Sequence, residues 1–322
     1  MKRVVITGAT GFVGANLTRR LLQDGHEVHV LVRPGYTPWR IESVRSELQF
    51  HELVLDALEV LSATLCRIRP DWVFHLATYG AYAQQANLAV MVETNIKGTI
   101  ALVQASMVAG CEAIVYAGSS SEYGFKDHAP HEREWLDPNS YYAVTKAAAT
   151  LFCRYTAQAW EGRLITLRLY SVYGPWEEPT RLVPTLLLHG MRGTLPPLVN
   201  PAVARDYVYV DDVCESFIQA ARTPGQERGV VYNVGSERQT SIQDLVTLAG
   251  RLLPIHAEPQ WGSMPDRHWD TQVWLADSSA IRQAIGWQAS TTLEHGLSRM
   301  IQWFEAHPAM QDYYRAKQQG TR

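Results

Sequence analysis

The stretch Val4-Val5-Ile6-Thr7-Gly8-Ala9-Thr10-Gly11-Phe12-Val13-Gly14 decides the fold of this chain. An apolar run stops at closely spaced glycines and restarts as the helical pattern Leu17, Leu21, Leu22. A strand that turns this sharply into a helix leaves the first helical amides without partners, at the end where the helix dipole favours negative charge. In the spacing G-x-x-G-x-x-G, the first glycine permits the tight turn, the second lets a pyrophosphate approach the backbone, and the third lets the helix pack on the sheet. Gly8, Gly11 and Gly14 fill those places, and Phe12 and Val13 open the helix that faces the phosphates. A merely compact turn would not need this spacing between these flanks, so the stretch predicts a dinucleotide-binding turn.

Working outward, strand and helix patterns alternate. Glu27–Val32 reads as a second strand, 48–51 as a weaker third, Trp72–His75 as a fourth, 113–116 as a fifth and 164–168 as a sixth. Helical stretches lie at Leu58–Ile68, 89–109 and 142–160. This alternation predicts an α/β fold with a doubly wound parallel sheet, whose ligands sit beyond the carboxyl ends of the strands. After Gly174-Pro175 the regularity gives way to segments rich in Pro, Gly and Trp, with single helices at 241–253 and Leu293–Ala306. Residues 1–172 are therefore expected to form the dinucleotide-binding domain and 173–322 mainly a smaller substrate lobe. The helix at 211–221 and the strand at 230–234 return to the main domain, so segments near 207–235 interleave the two. The polar tail after Pro308 is expected to fray.

With 322 residues, the chain can bury one large core, or one core with a smaller appended lobe. Hydrophobic residues make up 46% and charged residues 19%, the balance of a soluble globular enzyme. A net charge of -3 without any run of lysines or arginines offers no surface to nucleic acid or to an anionic membrane. The first apolar run reads as a core strand, not a signal peptide, and no later stretch is long enough to span a bilayer. Cys66, Cys111, Cys153 and Cys214 lie far apart, as free thiols of a cytoplasmic protein would. The histidines are scattered, and no metal site is expected.

Tyr142 and Lys146 stand four apart in Pro138-Asn139-Ser140-Tyr141-Tyr142-Ala143-Val144-Thr145-Lys146 and share one helix face. An unperturbed phenol titrates near ~10, too high to exchange protons readily at neutral pH, and a neighbouring ammonium lowers that value. Tyr142 is thus a candidate general acid or base, and Lys146 is placed to reach the ribose of a nicotinamide cofactor. Such pairs also occur on ordinary amphipathic helices, so this one gains weight from its company. Upstream, the fifth strand runs into Ala117-Gly118-Ser119-Ser120-Ser121-Glu122-Tyr123-Gly124. A hydroxyl at a strand's carboxyl end faces the ligand crevice and can hydrogen-bond an oxygen that is gaining charge. Serines also gather at such ends simply to cap turns.

Together these pieces resemble the extended short-chain dehydrogenase/reductase family, the NAD(P)-dependent nucleotide-sugar epimerases, dehydratases and ketoreductases. The resemblance runs nearly the full length. It includes the glycine turn, Asp56, His75-Leu76-Ala77, Asn95, Tyr142 with Lys146, and Arg168-Leu169-Tyr170-Ser171-Val172-Tyr173-Gly174-Pro175. It continues through Arg205-Asp206-Tyr207-Val208-Tyr209-Val210-Asp211-Asp212-Val213, Tyr232-Asn233-Val234-Gly235 and Ala276-Asp277-Ser278…Gly286-Trp287. The resemblance implies a Rossmann sheet with a smaller, interleaved C-terminal lobe. Tyr142 would be the catalytic acid/base, Lys146 its partner, and Ser119 the catalytic hydroxyl, with Ser120 as the alternative. Asp56 and Ala57 would approach the adenine, Leu76, Ala77 and Asn95 would line the cofactor groove, and Arg205 would bind the substrate diphosphate. A homodimer is implied as well, packed through the helices at 89–109 and 142–160, with Ile96, Ile100, Val103, Met107, Ala149, Phe152 and Cys153 as candidate seam residues.

Departures from the family pattern refine the expectation. NAD-preferring relatives carry an acid where this chain has Val32, and Arg33 adds a cation, so NADP(H) is favoured over NAD(H). Arg40 is a candidate second ligand for the 2'-phosphate. Dehydratases follow the catalytic hydroxyl with Asp-Glu, whereas Ser120 and Ser121 stand here, so elimination of water is not expected. Ser171 replaces a substrate-site asparagine, and Ser263-Met264-Pro265-Asp266-Arg267 alters the usual diphosphate segment, with Arg267 as the replacement cation beside Asp266. Tyr79, Tyr82, Trp176, Arg181 and Trp269 are candidate sugar contacts. The expected reaction is NADPH-dependent reduction of an NDP-4-keto-6-deoxyhexose in deoxysugar biosynthesis. The alternative is an NAD-dependent NDP-hexose (UDP-sugar type) 4-epimerase. A third reading, a catalytically inactive NADP-sensing regulator, is opposed by the presence of both Tyr142 and Lys146.

Overall fold

Seven strands form one parallel sheet in the computed structural model, which describes residues 1–82, 84–160, 162–264 and 271–320. Its strands are β1 (Arg3–Thr7), β2 (Glu27–Val32), β3 (Gln49–Glu52), β4 (Trp72–His75), β5 (Ala113–Ser119), β6 (Arg163–Leu169) and β9 (Val231–Val234). They lie in the order β3-β2-β1-β4-β5-β6-β9. The order reverses between β1 and β4, and at such a switch point two loops diverge and leave a crevice for a ligand.

Both faces of the inner strands are covered, which is why β1 and β4 read as largely apolar runs, whereas the edge strand β3 is polar and has no buried residue. Val4 and Ile6 point to one side, into a core with Leu17 and Leu21 of α1 (Phe12–Gln23) and Phe217 of α7 (Val210–Arg222). Val5 points to the other, where Leu61 and Leu65 of α2 (Leu58–Ile68), Leu102 of α4 (Gly98–Val108) and Cys153 of α5 (Tyr141–Thr156) pack. The returning segments take the expected places: β9 pairs in parallel with β6, and α7 packs beside α1.

A second core belongs to the C-terminal half. A small sheet of β10 (Gln239–Ser241), β8 (Ala204–Tyr209) and β7 (Ser171–Tyr173) is joined by α6 (Leu182–Gly190), α8 (Ile242–Leu252) and α10 (Leu293–Ala306). The helix α9 (Ser279–Ile285) caps the main sheet near β9.

Two expectations need correction. The helical stretch at 89–109 is not a uniform helix. It divides into α3 (Leu88–Met91), a π-helical segment over Val92–Lys97, and α4. The tail does not fray: Pro308–Gln319 is a helix, α11, with proline in its first turn. Its polar residues face outward, while Tyr314 is fully buried in the second core and its hydroxyl donates to Glu177 O at 2.6 Å. Among the described residues no helix is long and apolar enough to cross a membrane.

Candidate active site

The glycine turn follows β1 at the switch point. Gly8 adopts φ 75°, and a Cβ there would come within 2.6 Å of the Leu76–Ala77 backbone from the neighbouring β4 loop. A Cβ on Gly14 would collide with the Gly8 carbonyl oxygen. The turn is closed by Gly11 N donating to Gly8 O at 2.9 Å, and no side chain caps α1. Its first-turn amides, those of Phe12 and Val13 included, therefore suit a pyrophosphate.

The opposite wall of the groove is Leu76 and Ala77, both half-buried. A buried chain of hydrogen bonds fixes it. Ala77 N donates to Thr7 Oγ1 at 3.2 Å, and Thr7 Oγ1 meets His75 Nδ1 at 2.6 Å. His75 Nε2 meets Thr99 Oγ1 at 2.9 Å, and that hydroxyl donates to Asn95 O. Since Thr99 spends its proton on Asn95, the imidazole proton belongs on Nε2 and Thr7 donates to Nδ1. Burial, reinforced by the charge of Lys146, drives His75 down to about 3, so the ring stays neutral.

Asn95 lies in the π-helical segment and is 1% exposed. Its Oδ1 accepts from Tyr79 N at 2.9 Å and Thr78 Oγ1 at 3.1 Å, and its Nδ2 donates to Tyr79 O at 2.8 Å and Thr145 Oγ1 at 2.9 Å. Its amide is thus spent on protein partners. It ties the loop after β4 to α5, and in this way shapes the groove that Leu76 and Ala77 line.

At the adenosine end, Arg33 is exposed beyond β2, and its side chain makes no hydrogen bond or ion pair with the described residues. Asp56 is exposed and Ala57 half-buried at the start of α2. Arg40 behaves otherwise. It is 7% exposed and donates to Trp176 O at 2.7 Å, Thr10 O at 3.3 Å and Glu178 Oε2 at 3.0 Å, while stacking on Trp39. Arg40 is a latch between the glycine turn and the second lobe, so the expectation of a phosphate ligand is corrected.

The catalytic candidates converge at the end of β5. Ser140 caps α5 by accepting from Ala143 N, which sets Tyr142 in the first turn and Lys146 one turn later. Burial pushes the Tyr142 phenol up to about 12, against the pull of hydrogen bonds from Ser119 and Thr78. The Ser119 hydroxyl lies on the phenol side and meets Ser121 Oγ at 2.7 Å, while Ser120 is buried at 6% exposed. Lys146, 2% exposed, donates to Ala117 O at 2.5 Å and lies 4.3 Å from the centre of the Tyr116 ring. Its direct partner here is a carbonyl, not the phenol, and burial pulls its own value down to about 8.

Beneath this corner is a buried pair that sequence reasoning missed. Glu122 is 0% exposed; its Oε1 accepts from Ser119 N at 2.8 Å and Thr150 Oγ1 at 3.0 Å, and its Oε2 accepts from Arg168 Nε at 2.8 Å. Arg168 also donates to Tyr123 OH at 2.8 Å, and that hydroxyl donates to Asn233 Oδ1. The signal was present: Ser119 and Glu122 are spaced as a capping box, and both motifs containing Glu122 and Arg168 had been singled out.

On the substrate side, Tyr79, Tyr82 and Ser171 are half-buried and Arg181 exposed. Tyr82 lies within electrostatic range of Arg40, Arg181, Glu178 and Glu177, and also of Tyr142, so it bridges the two lobes. Arg205 is half-buried, 5.5 Å from the centre of the Trp274 ring, and donates to Ala204 O. Its neighbour Asp206 accepts from Ser236 N, Ser236 Oγ, Glu237 N and Ala276 N. Trp176 packs against Trp39 and Trp303 beneath Arg19, as part of the lobe contact, which corrects its reading as a sugar contact. Asp266, Arg267 and Trp269 lie outside the described residues. Among the described residues no cluster of side chains could hold a metal ion.

Comparison with known proteins agrees with this arrangement. A model of the NAD dependent epimerase/dehydratase family matches residues 4–235. The UDP-glucose 4-epimerase of Mycolicibacterium smegmatis is 28% identical over 321 residues, spanning 94% of this chain and 98% of that protein. The solved structure of UDP-glucose 4-epimerase from Thermotoga maritima with UDP-glucose superposes with a TM-score of 0.85 at 25% identity, covering 95% of this chain and 99% of that one. MoeE5, solved with UDP-glucuronic acid and NAD, gives 0.80 at 28% identity, covering 94% and 99%.

Proposed function

The chain belongs to the NAD dependent epimerase/dehydratase family, and from that premise we propose that it inverts C4 of a nucleoside-diphosphate hexose with NAD as its resident cofactor. The observation that carries the reading is the convergence of Ser119, at the end of β5, with the start of α5, where Lys146 Nζ donates to Ala117 O one turn after Tyr142, in a chain similar over 94% of its length to a UDP-glucose 4-epimerase. The dinucleotide would lie along the uncapped start of α1, Leu76 and Ala77, with Asp56 and Ala57 towards its adenine; once bound it supplies hydride acceptance and return at C4. Tyr142 exchanges the proton of the C4 oxygen, and Ser119 hydrogen-bonds that oxygen as its charge changes. Lys146, held against Ala117 O, would reach the ribose of the dinucleotide. Ser120 and Ser121 lack the acid–base pair that elimination needs, which favours epimerisation over dehydration. Arg205 would hold the diphosphate, with Tyr79, Tyr82, Ser171 and Arg181 around the sugar.

One observation favours the second reading, an NADPH-dependent ketoreductase acting on an NDP-4-keto-6-deoxyhexose. The exposed, unpartnered Arg33 follows Val32 where an acid would repel a 2'-phosphate. Denaturing the purified protein and identifying the released dinucleotide by mass spectrometry separates the two, together with NMR assay of UDP-glucose for C4 inversion. Released NAD with inversion supports the epimerase. An empty site, no inversion, and NADPH oxidation by the keto sugar would replace it with the reductase.

The reading includes a homodimer. Val103, Ala149 and Cys153, expected at its seam, pack inside the subunit core. The outward stripe of α5 is Tyr141, Val144, Leu151 and Tyr155, all exposed, beside half-buried Ile96, Ile100, Met107 and Phe152. An apolar stripe at this spacing is what a helix-bundle contact requires. Sedimentation should give a dimer at micromolar concentration.

A further inference from the structure

The segment after β7 is a joint between the two cores. Pro175 O accepts from Asn16 Nδ2 of α1 at 2.9 Å, and Trp176 O from Arg40 Nε at 2.7 Å, both on the dinucleotide side. Glu177 O accepts from Tyr314 OH at 2.6 Å, and Pro179 O from Gln318 Nε2 at 2.7 Å, both on α11. Neighbouring carbonyls are thus held by opposite lobes. Trp176, where the holders change, adopts φ 69°, a left-handed conformation that a bulky side chain rarely takes. Strain of this kind persists only where surrounding contacts over-determine it.

Arg40 joins this segment to the glycine turn. Besides Trp176 O, its guanidinium reaches Thr10 O through Nη1 at 3.3 Å and Glu178 Oε2 through Nη2 at 3.0 Å. Thr10 stands between Gly8 and Gly11, in the turn that opens α1. The backbone behind the guanidinium is fixed as well: Arg40 O accepts from Arg19 Nη2, and Arg19 lies 4.2 Å from the centre of the Trp176 ring. Trp39 covers the Arg40 guanidinium at 4.1 Å while packing on Tyr313 and Tyr314 of α11. A tie that only held the lobes together would be met by Trp176 and Glu178; the third bond goes to the backbone of the turn itself. A planar fork shared among these acceptors sets angles as well as distances.

We infer that Arg40 is a positioning residue for the reaction, setting the register between the glycine turn and the substrate lobe through Thr10 O and Trp176 O. The inference rests on the nucleotide-sugar reading above, in which the turn holds the dinucleotide and the second lobe holds much of the sugar nucleotide. The donors of Arg40 are spent on protein partners, so each site keeps its own binding groups without it. What its loss disturbs is their mutual placement, and a misplacement of about 1 Å can cost about 10²-fold in rate.

Steady-state C4 inversion of UDP-glucose, with the dinucleotide content of each preparation measured by mass spectrometry, tests this. Arg40→Ala should lower kcat per dinucleotide-loaded protein by about tenfold to a hundredfold, with KM and dinucleotide content near those of wild type. Arg40→Lys keeps a cation beside Glu178 but cannot meet both carbonyls, so it should show the same split with a smaller fall. It also guards against a folding defect in the alanine variant. Glu178→Gln breaks the ion pair and leaves both carbonyl bonds, so its kcat should stay near that of wild type. An unchanged kcat in the Arg40 variants overturns the proposal, as does a loss confined to KM or to dinucleotide content. An equal fall of kcat in Glu178→Gln also overturns it, since Arg40 would then be only a tie between lobes. A wild type that reduces a keto sugar without inverting UDP-glucose would sink the epimerase reading alone, and the same split in the reduction rate then decides on Arg40.

Discussion

Glu122 and Glu177 each lie just beyond a strand's carboxyl end, each is almost wholly removed from solvent, and each has an arginine beside it. They are otherwise opposites. Glu122 accepts from a backbone amide, a hydroxyl and a guanidinium, and its arginine is 3% exposed. Glu177 leaves an oxygen bare, and its arginine is 47% exposed. The first is a closed arrangement that holds Ser119; the second is enclosed by the protein with one oxygen unmet. Completeness of hydrogen bonding, rather than burial or charge, separates the two carboxylates.

The difference can be broken most directly at Glu122. Glu122→Ala leaves Arg168 charged and buried and should cost about 3–5 kcal/mol of stability, read by urea denaturation. Glu177→Ala should cost far less, since it removes a partly unmet group. Equal losses would mean that the two carboxylates play the same part.

Next in size is Tyr142→Phe, which spares the Glu122 network while removing the proton-transfer group. Turnover should fall at least ~10²-fold with an unchanged melting temperature. A variant near normal turnover would remove Tyr142 from the chemistry.

A third test sharpens the contrast through pH. The Glu177 carboxyl is held up at about 8, against its ordinary 4.5. Between those values the folded chain keeps a proton that the unfolded chain releases, so stability falls as pH rises through that window. Glu177→Gln removes this dependence, so its melting temperature should gain on wild type steadily from about pH 5 to about pH 8. Parallel curves would show an ordinary carboxyl.

The parallel sheet, the glycine turn and the Tyr142–Lys146 face were legible because each has a fixed spacing set by backbone geometry. Residues whose meaning depends on partners distant in sequence were not. Arg33 and Arg40 look alike as cations flanking one loop, yet only folding brings Arg40 against Trp176 and Glu178. The π-helical segment around Asn95 is invisible to a search for helical period, because it departs from that period. Of the candidate seam residues, Val103, Ala149 and Cys153 face the core, and on α4, apolar nearly all round, only contact shows which side the core takes. Tyr314 was hidden by the polar residues around it.

The place of β9 has a consequence for synthesis. When Leu169 leaves the ribosome, β6 has β5 on one side and nothing on the other, and its true neighbour is not made until Val231–Val234. The nascent chain therefore carries an open strand edge through the translation of much of the second lobe, and such an edge is a template for pairing with other chains. The sheet is sealed only afterwards, so the protein cannot be assembled one half at a time. A fragment ending near residue 172 should associate or aggregate, because the strand that would protect it lies downstream.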